Sequence, residues 1–286
     1  MALGTAQFGL HYGIANKVGQ VTRLTVSTML QLASANGISM LDTAIAYGES
    51  ETCLGEADIQ DFKLVTKLPV VPDDCSDVNE WVQKQVNESL TRLGVGSVSG
   101  LLLHRSEQLL GTEGKALYQT LQNLKESGQV EKIGVSIYSP KELDVLPSCY
   151  HFDIVQAPFN LFDRQLSKSG WLHRLKDKGA EIHVRSVFLQ GLLLMAKEDL
   201  PIKFAPWGGL FSKWYEWLLR NNISAVQACL AYPLSFSEID RVIIGVDSVD
   251  QLEKIIYATQ AVMPNEVFPE YCEDEKLINP SNWRSL

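Results

Sequence analysis

Residues 98–104 read VSGLLLH, an almost wholly apolar run that ends in a histidine. A strand this apolar is buried on both faces, as a parallel strand between two layers of helices must be. Short runs of the same kind recur along the chain. The predicted strands are Met1–Thr5, Ile38–Asp42, Phe62–Lys67, Val98–His104, Lys132–Ser136, Phe152–Gln156, Glu181–Ser186 and Arg241–Gly245. The chain therefore carries eight candidate strands for one parallel sheet.

The segments between these strands have the period of a helix, with apolar residues three or four positions apart. The stripes are Val82-Val86-Leu90-Leu93, Leu117-Leu121-Leu124 and Leu252-Ile255-Ile256. Eight strand-helix repeats in 286 residues favour an α/β fold, a closed (β/α)₈ TIM barrel, over a doubly wound sheet. The G-x-G-x-x-G turn of a Rossmann first strand is also missing. Since no Pro/Ser/Gly-rich linker divides the sequence, we expect a single domain over residues 1–286.

The segment Leu194–Asn222 is longer than one helix and contains three tryptophans, Trp207, Trp214 and Trp217. We predict an extra helical segment after the seventh strand, above the barrel. Two interpretations stay open. The tryptophans either wall a substrate pocket or are buried by a helix that packs against the barrel.

Composition excludes several kinds of partner. Against 25 Lys+Arg the chain has 34 Asp+Glu, a net charge of −9, so nucleic acid and anionic membrane surfaces are not expected as partners. The five cysteines are scattered without a C-x-x-C pair, and the histidines have no ligand spacing, so no metal site is predicted. With neither a signal core nor an apolar run of about 18 residues, we expect a cytoplasmic protein in a reducing compartment.

Polar residues follow the apolar runs where the predicted strands end. They are Asp42, Lys67, His104, Ser136, Gln156 and the pair Arg185-Ser186. The carboxyl ends of all strands in a parallel barrel face one rim, which is where such barrels place their active sites. An Asp, a Lys and a His on successive strands therefore predict a cluster of ionisable groups at this mouth.

Tyr47 follows Asp42 by five residues, close enough for a short loop to bring its hydroxyl over the mouth. A free tyrosine has a pKa of about 10, too high for efficient proton donation near neutrality. A neighbouring Lys67 ammonium would lower that pKa, Asp42 would hold Lys67 charged, and His104 could hydrogen-bond a substrate oxygen. The set suits protonation of a carbonyl oxygen while hydride reaches the carbon. A nicotinamide cofactor would have to supply the hydride.

At these residues the sequence resembles the aldo-keto reductase family. The segment LDTAIAYG, residues 41–48, looks like the family's first signature, and Thr66-Lys67 and Leu103-His104 match its other tetrad positions. The likeness extends over nearly the whole chain, for example in IGVS at 133–136 and QGLL at 190–193. It implies an NAD(P)H-dependent carbonyl reductase in which Tyr47 is the general acid and a small carbonyl compound is the substrate.

The resemblance also implies a cofactor site along the rim. The implied positions are Gly4, Thr5, Asp42, Ser136, Gln156, Arg185, Ser186, Leu189, Gly191, Gly245, Asp247, Ser248 and Gln251. Ser136 and Gln156 match the residues that hold the nicotinamide carboxamide, whereas Ile137 replaces an Asn that often joins them. Arg185 stands where many members stack an aromatic ring under the nicotinamide, and its charge would oppose formation of cationic NAD(P)⁺.

The adenosine end departs from the pattern of NADP-binding members. Gly245 and Gln251 stand where those members place Lys and Arg to clamp the 2′-phosphate. NADP(H) is the family default, and NAD(H) is credible here. Asp247 is expected either to hydrogen-bond a bare ribose or, with Ser248, simply to cap the following helix.

Other functions compete with carbonyl reduction. Lys67 could form a Schiff base in a barrel lyase, although a nucleophilic lysine must be neutral and Asp42 opposes that. A cofactor-binding protein that senses redox state is the non-enzymatic alternative. Arg185, Gln7 and Asn160 would make the mouth compatible with a hydroxylated, sugar-like carbonyl compound.

Overall fold

The computed structural model describes residues 1–286, except for the side chain of Ser285. Eight parallel strands pair in sequence order, and the eighth pairs with the first to close the barrel. The strands are β1 (Ala2–Gly4), β2 (Met40–Asp42), β3 (Lys63–Leu68), β4 (Gly100–Leu103), β5 (Ile133–Ser136), β6 (Ile154–Pro158), β7 (Glu181–Arg185) and β8 (Arg241–Gly245). The predicted (β/α)₈ TIM barrel is confirmed.

Helices surround the strands and fill most connections between them. They are α1 (Ala6–Gly9), α2 (Arg23–Ala35), α3 (Ser50–Gly55), α4 (Val78–Leu93), α5 (Gly114–Glu126), α6 (Lys141–Val145), α7 (Gln165–Lys168), α8 (Trp171–Asp177), α9 (Gly208–Arg220), α10 (Ala225–Leu234), α11 (Val249–Ala258) and α12 (Glu275–Ile278). None of the helices in the described part of the chain is long and apolar enough to cross a membrane.

The predicted strands are all present, with β8 as predicted and the other ends shifted by at most two residues. The largest functional difference concerns β6, which continues beyond the predicted end at Gln156 because Pro158 still pairs with Arg185 of β7. His104 lies one residue beyond β4. Gln156 is therefore held by strand pairing on both sides, whereas His104 stands at the start of a loop.

The barrel interior contains a small apolar cluster separate from the larger core between strands and helices. Its members are Ala2, Met40, Val65, Leu102, Ile154 and Ile243. Successive residues of a strand alternate between faces, so the inward residue two positions after each of these lies one level higher in the barrel. Asp42, Lys67, His104 and Gln156 occupy that higher level. This apolar floor removes water from beneath them.

The predicted extra segment after β7 contains three short 3₁₀ turns, Leu192–Leu194, Lys197–Asp199 and Ile202–Trp207, and then α9. Trp214 and Trp217 stack at 5.6 Å and are almost fully buried. Their indole N–H groups donate to backbone carbonyls at 3.2 Å. Of the two interpretations, the structure supports burial against the barrel rather than the wall of a pocket.

Ion pairs tie the opposite, amino-terminal end of the barrel, where the same arrangement occurs twice. Asp153, just before β6, accepts from Ile133 N at 3.0 Å and from Lys125 Nζ at 2.6 Å. Asp240, just before β8, accepts from Ile182 N at 2.7 Å and from a second lysine, Lys176, at 2.9 Å. Asp153 thus connects the start of β6 to β5 and α5, and Asp240 connects the start of β8 to β7 and α8.

Candidate active site

A cavity of about 590 Å³ opens at the carboxyl ends of the strands. Asp42, Tyr47, Lys67 and His104 all line it, so the structure brings the four predicted catalytic side chains together. The cavity then runs past β5, β6 and β7 to the end of β8. It is long enough to hold an extended molecule beside the ionisable cluster.

Lys67 lies at the centre of this cluster and is only 1% exposed. Its Nζ donates to Asp42 Oδ1 at 2.5 Å and to the Thr43 carbonyl at 2.8 Å. Nζ also lies 5.2 Å from the centre of the Tyr47 ring. Burial lowers the pKa of Lys67, and the charge of Asp42 opposes that shift.

The acidity of Tyr47 differs from the sequence prediction. Burial raises the pKa of Tyr47 above its usual value of 10, and the negative charge of Asp42 raises it further, while Arg185 acts in the opposite direction. The predicted lowering of this pKa by Lys67 is contradicted in direction, because burial and the charge of Asp42 both raise it. Tyr47 therefore carries its proton at neutral pH.

His104 faces Tyr47 edge to face, with ring centres 5.8 Å apart. Burial, reinforced by the charge of Lys67, lowers the pKa of His104 to about 4. Its imidazole is neutral at pH 7, so one ring nitrogen bears a hydrogen and the other does not. His104 can therefore donate one hydrogen bond to an oxygen in the cavity without adding charge.

The Tyr47 loop depends on a close backbone contact with α1. A Cβ on Gly9 would lie 1.8 Å from Tyr47 O and 2.4 Å from Ser50 N, so no other residue fits at position 9 without moving the loop. Below the loop, the Ser50 hydroxyl donates to Thr5 at 2.8 Å and also contacts that of Thr43 at 3.1 Å. These buried hydroxyls join β1, β2 and α3 behind the site.

Glu51 fixes the next contact outward from the barrel. This carboxylate is 1% exposed and accepts from Thr66 Oγ1 at 2.6 Å and Ser89 Oγ at 2.7 Å. It also accepts two hydrogen bonds from Arg92, the shorter at 2.8 Å. Since Thr66 precedes Lys67, Glu51 ties the strand that carries the lysine to the helix that follows Tyr47.

Gln156 offers an acceptor to a ligand. Its Nε2 donates to Asp42 Oδ2 at 2.7 Å, whereas its buried Oε1 has no hydrogen-bond partner among the described residues. Ser136 pairs with Gln156 in the register of β5 and β6, and both line the cavity. A carboxamide, with one donor and one acceptor, fits these two residues.

The loop after β7 has a strained backbone that faces the cavity. Ser186, Leu189 and Gln190 all have positive φ, at 60°, 48° and 54°. Gly191 follows with φ 87°, and a Cβ there would lie 2.5 Å from Ala15 Cβ in the loop after α1. Such strain is stored where a backbone must keep a particular shape, here beside a ligand site.

The sequence left two roles open for Asp247, a hydrogen bond to a ribose and a cap for the following helix, and the structure at the end of β8 distinguishes between them. Ser248 caps α11, because its side chain accepts from Gln251 N at 3.2 Å. Gln251 Oε1 in turn accepts from Asp247 N at 2.8 Å. The Asp247 carboxylate is not the cap, and its buried Oδ1 has no hydrogen-bond partner in the part of the chain that is described. Burial raises the pKa of Asp247.

Arg185 is half-buried and lines the cavity. Its guanidinium donates to the Ile137 carbonyl at 3.0 Å and to Ser186 Oγ at 3.3 Å, and it lies 4.7 Å from the centre of the Tyr138 ring. Ile137 itself is buried. None of the described carboxylates forms an ion pair with Arg185.

Most of the predicted cofactor positions line the cavity. Those that do are Gly4, Thr5, Asp42, Ser136, Gln156, Arg185, Ser186, Gly191, Gly245, Asp247 and Gln251. Leu189 is buried in the core and Ser248 caps α11, so the structure places these two elsewhere. Asn160, predicted for the mouth, donates instead to the Ser186 carbonyl at 3.0 Å and positions that loop.

Sequence reasoning missed the loop after α1, which forms one wall of the cavity. Tyr12, Ala15 and Asn16 line it, and the Tyr12 hydroxyl accepts from Gln190 Nε2 at 3.2 Å. Tyr138 and Lys254 were missed as well. The available signal was position alone, since a loop that follows a barrel strand lies at the same mouth.

The fold and this cavity define a (β/α)₈ barrel with an ionisable site at its mouth. The chain matches the Aldo/keto reductase family over residues 1–273, and it belongs to that family. In the solved structure of aldo-keto reductase AKR11C1 from Bacillus halodurans, holo form, the fold matches with a TM-score of 0.73 at 18% identity. The match covers 93% of this chain and 88% of that one.

Three curated relatives share about a quarter of their residues with this chain over the matched parts. Aldo-keto reductase YhdN of Bacillus subtilis strain 168 is 26% identical over 49% of this chain and 45% of its own length. L-glyceraldehyde 3-phosphate reductase of Escherichia coli O157:H7 is 23% identical over 87% and 83%. L-galactose dehydrogenase of Arabidopsis thaliana is 26% identical over 78% and 74%. The chain thus spans about half the length of the first of these relatives and most of the other two.

Proposed function

We propose that the protein reduces an aldehyde or ketone to an alcohol with NAD(P)H and that Tyr47 is the proton donor. The observation that carries this proposal is the convergence of Asp42, Tyr47, Lys67 and His104 on one cavity. Membership of the aldo-keto reductase family supports it independently.

The roles follow from the geometry. Bound NAD(P)H supplies a hydride to the carbonyl carbon. Tyr47 Oη gives its proton to the carbonyl oxygen, and the neutral His104 donates a hydrogen bond to the same oxygen. Lys67 lies beside the ring and stabilises the phenolate that remains, while Asp42 holds Lys67 in place at 2.5 Å. The apolar floor keeps water from competing for these hydrogen bonds.

The residues present fit a nicotinamide nucleotide. The partnerless Gln156 Oε1 and Ser136 suit a carboxamide, and the Gly191 loop suits close approach of a pyrophosphate. At the far end, the buried Asp247 Oδ1 lacks a donor that a ribose hydroxyl would provide, and the carboxylate would repel a 2′-phosphate. Lys254 also lines this end, but it is exposed to water. The proposed cofactor is therefore NAD(H) rather than the family default NADP(H).

The proposed substrate is a small hydroxylated carbonyl compound. Arg185 gives the catalytic end a polar group besides the four already named, whereas the Gln7 amide lies against Gly245 at the end of β8. The names of two relatives, L-glyceraldehyde 3-phosphate reductase and L-galactose dehydrogenase, support the same class.

The lyase alternative requires a free lysine nitrogen. Lys67 Nζ is instead buried and donates to both Asp42 and the Thr43 carbonyl. The redox-sensing alternative gains no observation of its own from the cavity. Neither is favoured over carbonyl reduction.

The test removes the proton and keeps the ring. We expect Tyr47→Phe to lower kcat for glyceraldehyde reduction by about 10²- to 10⁴-fold, with nearly unchanged affinity for NADH measured by fluorescence titration. Tyr118→Phe is the matched control, because that hydroxyl bonds to the His151 backbone outside the cavity. Full activity of Tyr47→Phe, or no binding of either reduced nucleotide to the unaltered protein, would refute the proposal.

A further inference from the structure

We propose that Arg185 makes this cavity bind the reduced nicotinamide nucleotide more tightly than the oxidised one. This inference rests on the proposed function and assigns a preference within the same site. It starts from charge: a half-buried guanidinium lines the catalytic end of the cavity, where hydrogen bonds connect it only to the neutral Ile137 carbonyl and Ser186 hydroxyl among the described residues.

The other charges at this end cancel. Lys67 and Asp42 form a buried pair at 2.5 Å. Tyr47 is protonated, and His104 is neutral at pH 7 because burial lowers its pKa to about 4. Arg185 therefore remains as a guanidinium without an ion-pair partner among the described residues, and one further group, the buried Asp163 carboxyl with its pKa raised to about 7, feels its charge. The field of Arg185 reaches Tyr47, Lys67 and His104, each of which feels this guanidinium.

A nicotinamide ring held in this cavity would lie inside this field. Gln156 and Ser136 would hold its carboxamide, and Tyr47 would limit its position on the other side, because the carbonyl must reach both hydride and proton. Arg185 pairs with Pro158, two residues along β6 from Gln156. A ring bound by these residues would therefore be close to the guanidinium.

Hydride loss changes the charge of that ring. One proton and two electrons leave the neutral reduced ring together for the carbonyl carbon, and the ring acquires one positive charge. Like charges inside a partly desolvated cavity repel far more strongly than in water. Arg185 therefore destabilises the bound oxidised nucleotide selectively, which opposes hydride transfer within the site and favours release of the oxidised nucleotide after the transfer.

Arg105 provides a matched control. Its guanidinium lies 4.6 Å from the centre of the same Tyr138 ring, but it lines a second cavity of about 270 Å³. The two arginines thus share one aromatic neighbour, and only Arg185 lines the main cavity. Arg105→Met removes a cation and a ring contact while leaving Arg185 in place. The Arg105 charge also reaches His104, but only as the smallest cause of a pKa that burial already lowers to about 4.

The experiment measures Kd for NADH and NAD⁺, and for NADPH and NADP⁺, by calorimetry. We expect the ratio of oxidised to reduced Kd to fall about tenfold or more in Arg185→Met, to stay close to the original value in Arg185→Lys, and not to change in Arg105→Met. Arg185→Gln repeats the test with a neutral side chain that still donates to Ile137, in case the methionine variant does not fold.

An unchanged ratio in Arg185→Met and Arg185→Gln would overturn the inference. So would an Arg185→Lys ratio as low as that of the neutral variants, because shape rather than charge would then be responsible. Both results would leave the proposed function standing. If the unaltered protein bound none of the four nucleotides, the proposed function would fail and this inference with it.

Discussion

The two ends of the barrel use their polar groups differently. At the amino-terminal end, the carboxylate oxygens of Asp153 and Asp240 accept hydrogen bonds from lysines and from backbone N–H groups of neighbouring strands. At the carboxyl end, Gln156 and Asp247 each have a buried oxygen without a partner in the described structure, and Arg185 forms no ion pair with a described carboxylate. Buried polar atoms without partners are costly in a folded protein, so their presence at one end marks that end for ligands.

The carboxyl groups at the two ends also differ, because their pKa values are shifted in opposite directions. A hydrogen bond from His183 and the charge of Lys132 lower the pKa of Glu181, at the amino-terminal end, to about 2 despite partial burial. Burial raises the pKa of Asp163, in the loop after β6, to about 7. One carboxyl is stabilised as an anion and the other as an acid. One buried polar atom does not follow the division between the two ends. His183 Nδ1 is buried inside the barrel and, like the Gln156 and Asp247 oxygens, has no hydrogen-bond partner among the described residues.

The largest difference between the two ends is expected in the free energy of unfolding when one ion pair at each end is broken. Lys67→Met leaves Asp42 buried and unpaired, so we expect a loss of about 3–5 kcal/mol in the free energy of unfolding. Lys132→Met breaks a pair with Glu181 in which both side chains are more than a third exposed, 39% and 34%, and should cost less than about 1 kcal/mol. Urea denaturation measures both values. Equal losses would mean that the two ends are not distinct in the way described.

Two glycines test the strained loop against the opposite end. Gly191→Ala forces a side chain onto φ 87° and against Ala15, so we expect nucleotide affinity to fall by about tenfold, equivalent to about 1.4 kcal/mol. Gly179→Ala, just before β7, has a similar φ of 77° with no atom within 4 Å of the new Cβ. It should lower stability without changing nucleotide affinity. Titration with NADH and a thermal melt distinguish these outcomes, and equal affinities in both variants would contradict the prediction.

Opposite pH dependence is expected from the opposite pKa shifts. Asp163 binds its proton below about pH 7 when folded but, with an ordinary pKa of 3.8, only below about pH 4 when unfolded. Its contribution to stability is therefore complete below about pH 4 and is lost as the pH rises to about 7. We expect Asp163→Asn to be more stable than the unaltered protein at pH 8, by on the order of 1–3 kcal/mol, with little difference at pH 4.

Glu181→Gln supplies the comparison from the other end. The folded pKa of about 2 lies below the ordinary 4.5, so this carboxylate stabilises the protein above about pH 4.5 and loses its effect as the pH falls to about 2. Glu181→Gln should therefore be less stable than the unaltered protein at neutral pH. Urea denaturation from pH 2 to pH 8 measures both, and parallel pH profiles for the two variants would be inconsistent with the shifts described.

The smallest effect concerns the choice of nucleotide. Asp247→Asn removes the charge that opposes a 2′-phosphate, and we expect the ratio of NADPH to NADH affinity to rise about three- to tenfold. Asp250→Asn, exposed on the first turn of α11, is the matched control and should leave the ratio unchanged. A ratio that did not respond to Asp247→Asn would assign nucleotide selectivity to another group, with Lys254 the first to examine.

Features that depend on alternation within a strand could be predicted from the sequence. Asp42, Lys67 and Gln156 each end or nearly end an apolar run, and closure of parallel strands necessarily brings such residues to one mouth. Contacts between distant segments left no comparable signal. Gly9 approaches the Tyr47 loop, but in the sequence it is only a glycine. The direction of the Tyr47 pKa shift depends on how deeply the folded barrel buries this side chain and on the nearby Asp42 charge, and the local sequence does not reveal that burial.

The contact between Gly191 and Ala15, with the hydrogen bond from Gln190 to Tyr12, joins two loops across the cavity. We expect a nucleotide bound in the cavity to exchange slowly, because these contacts join two of the cavity walls. Where release of a bound molecule limits turnover, the rate of loop opening sets kcat. Tyr12→Phe removes the hydrogen bond between the loops, and we expect it to raise kcat in the steady state without changing the rate of the first turnover.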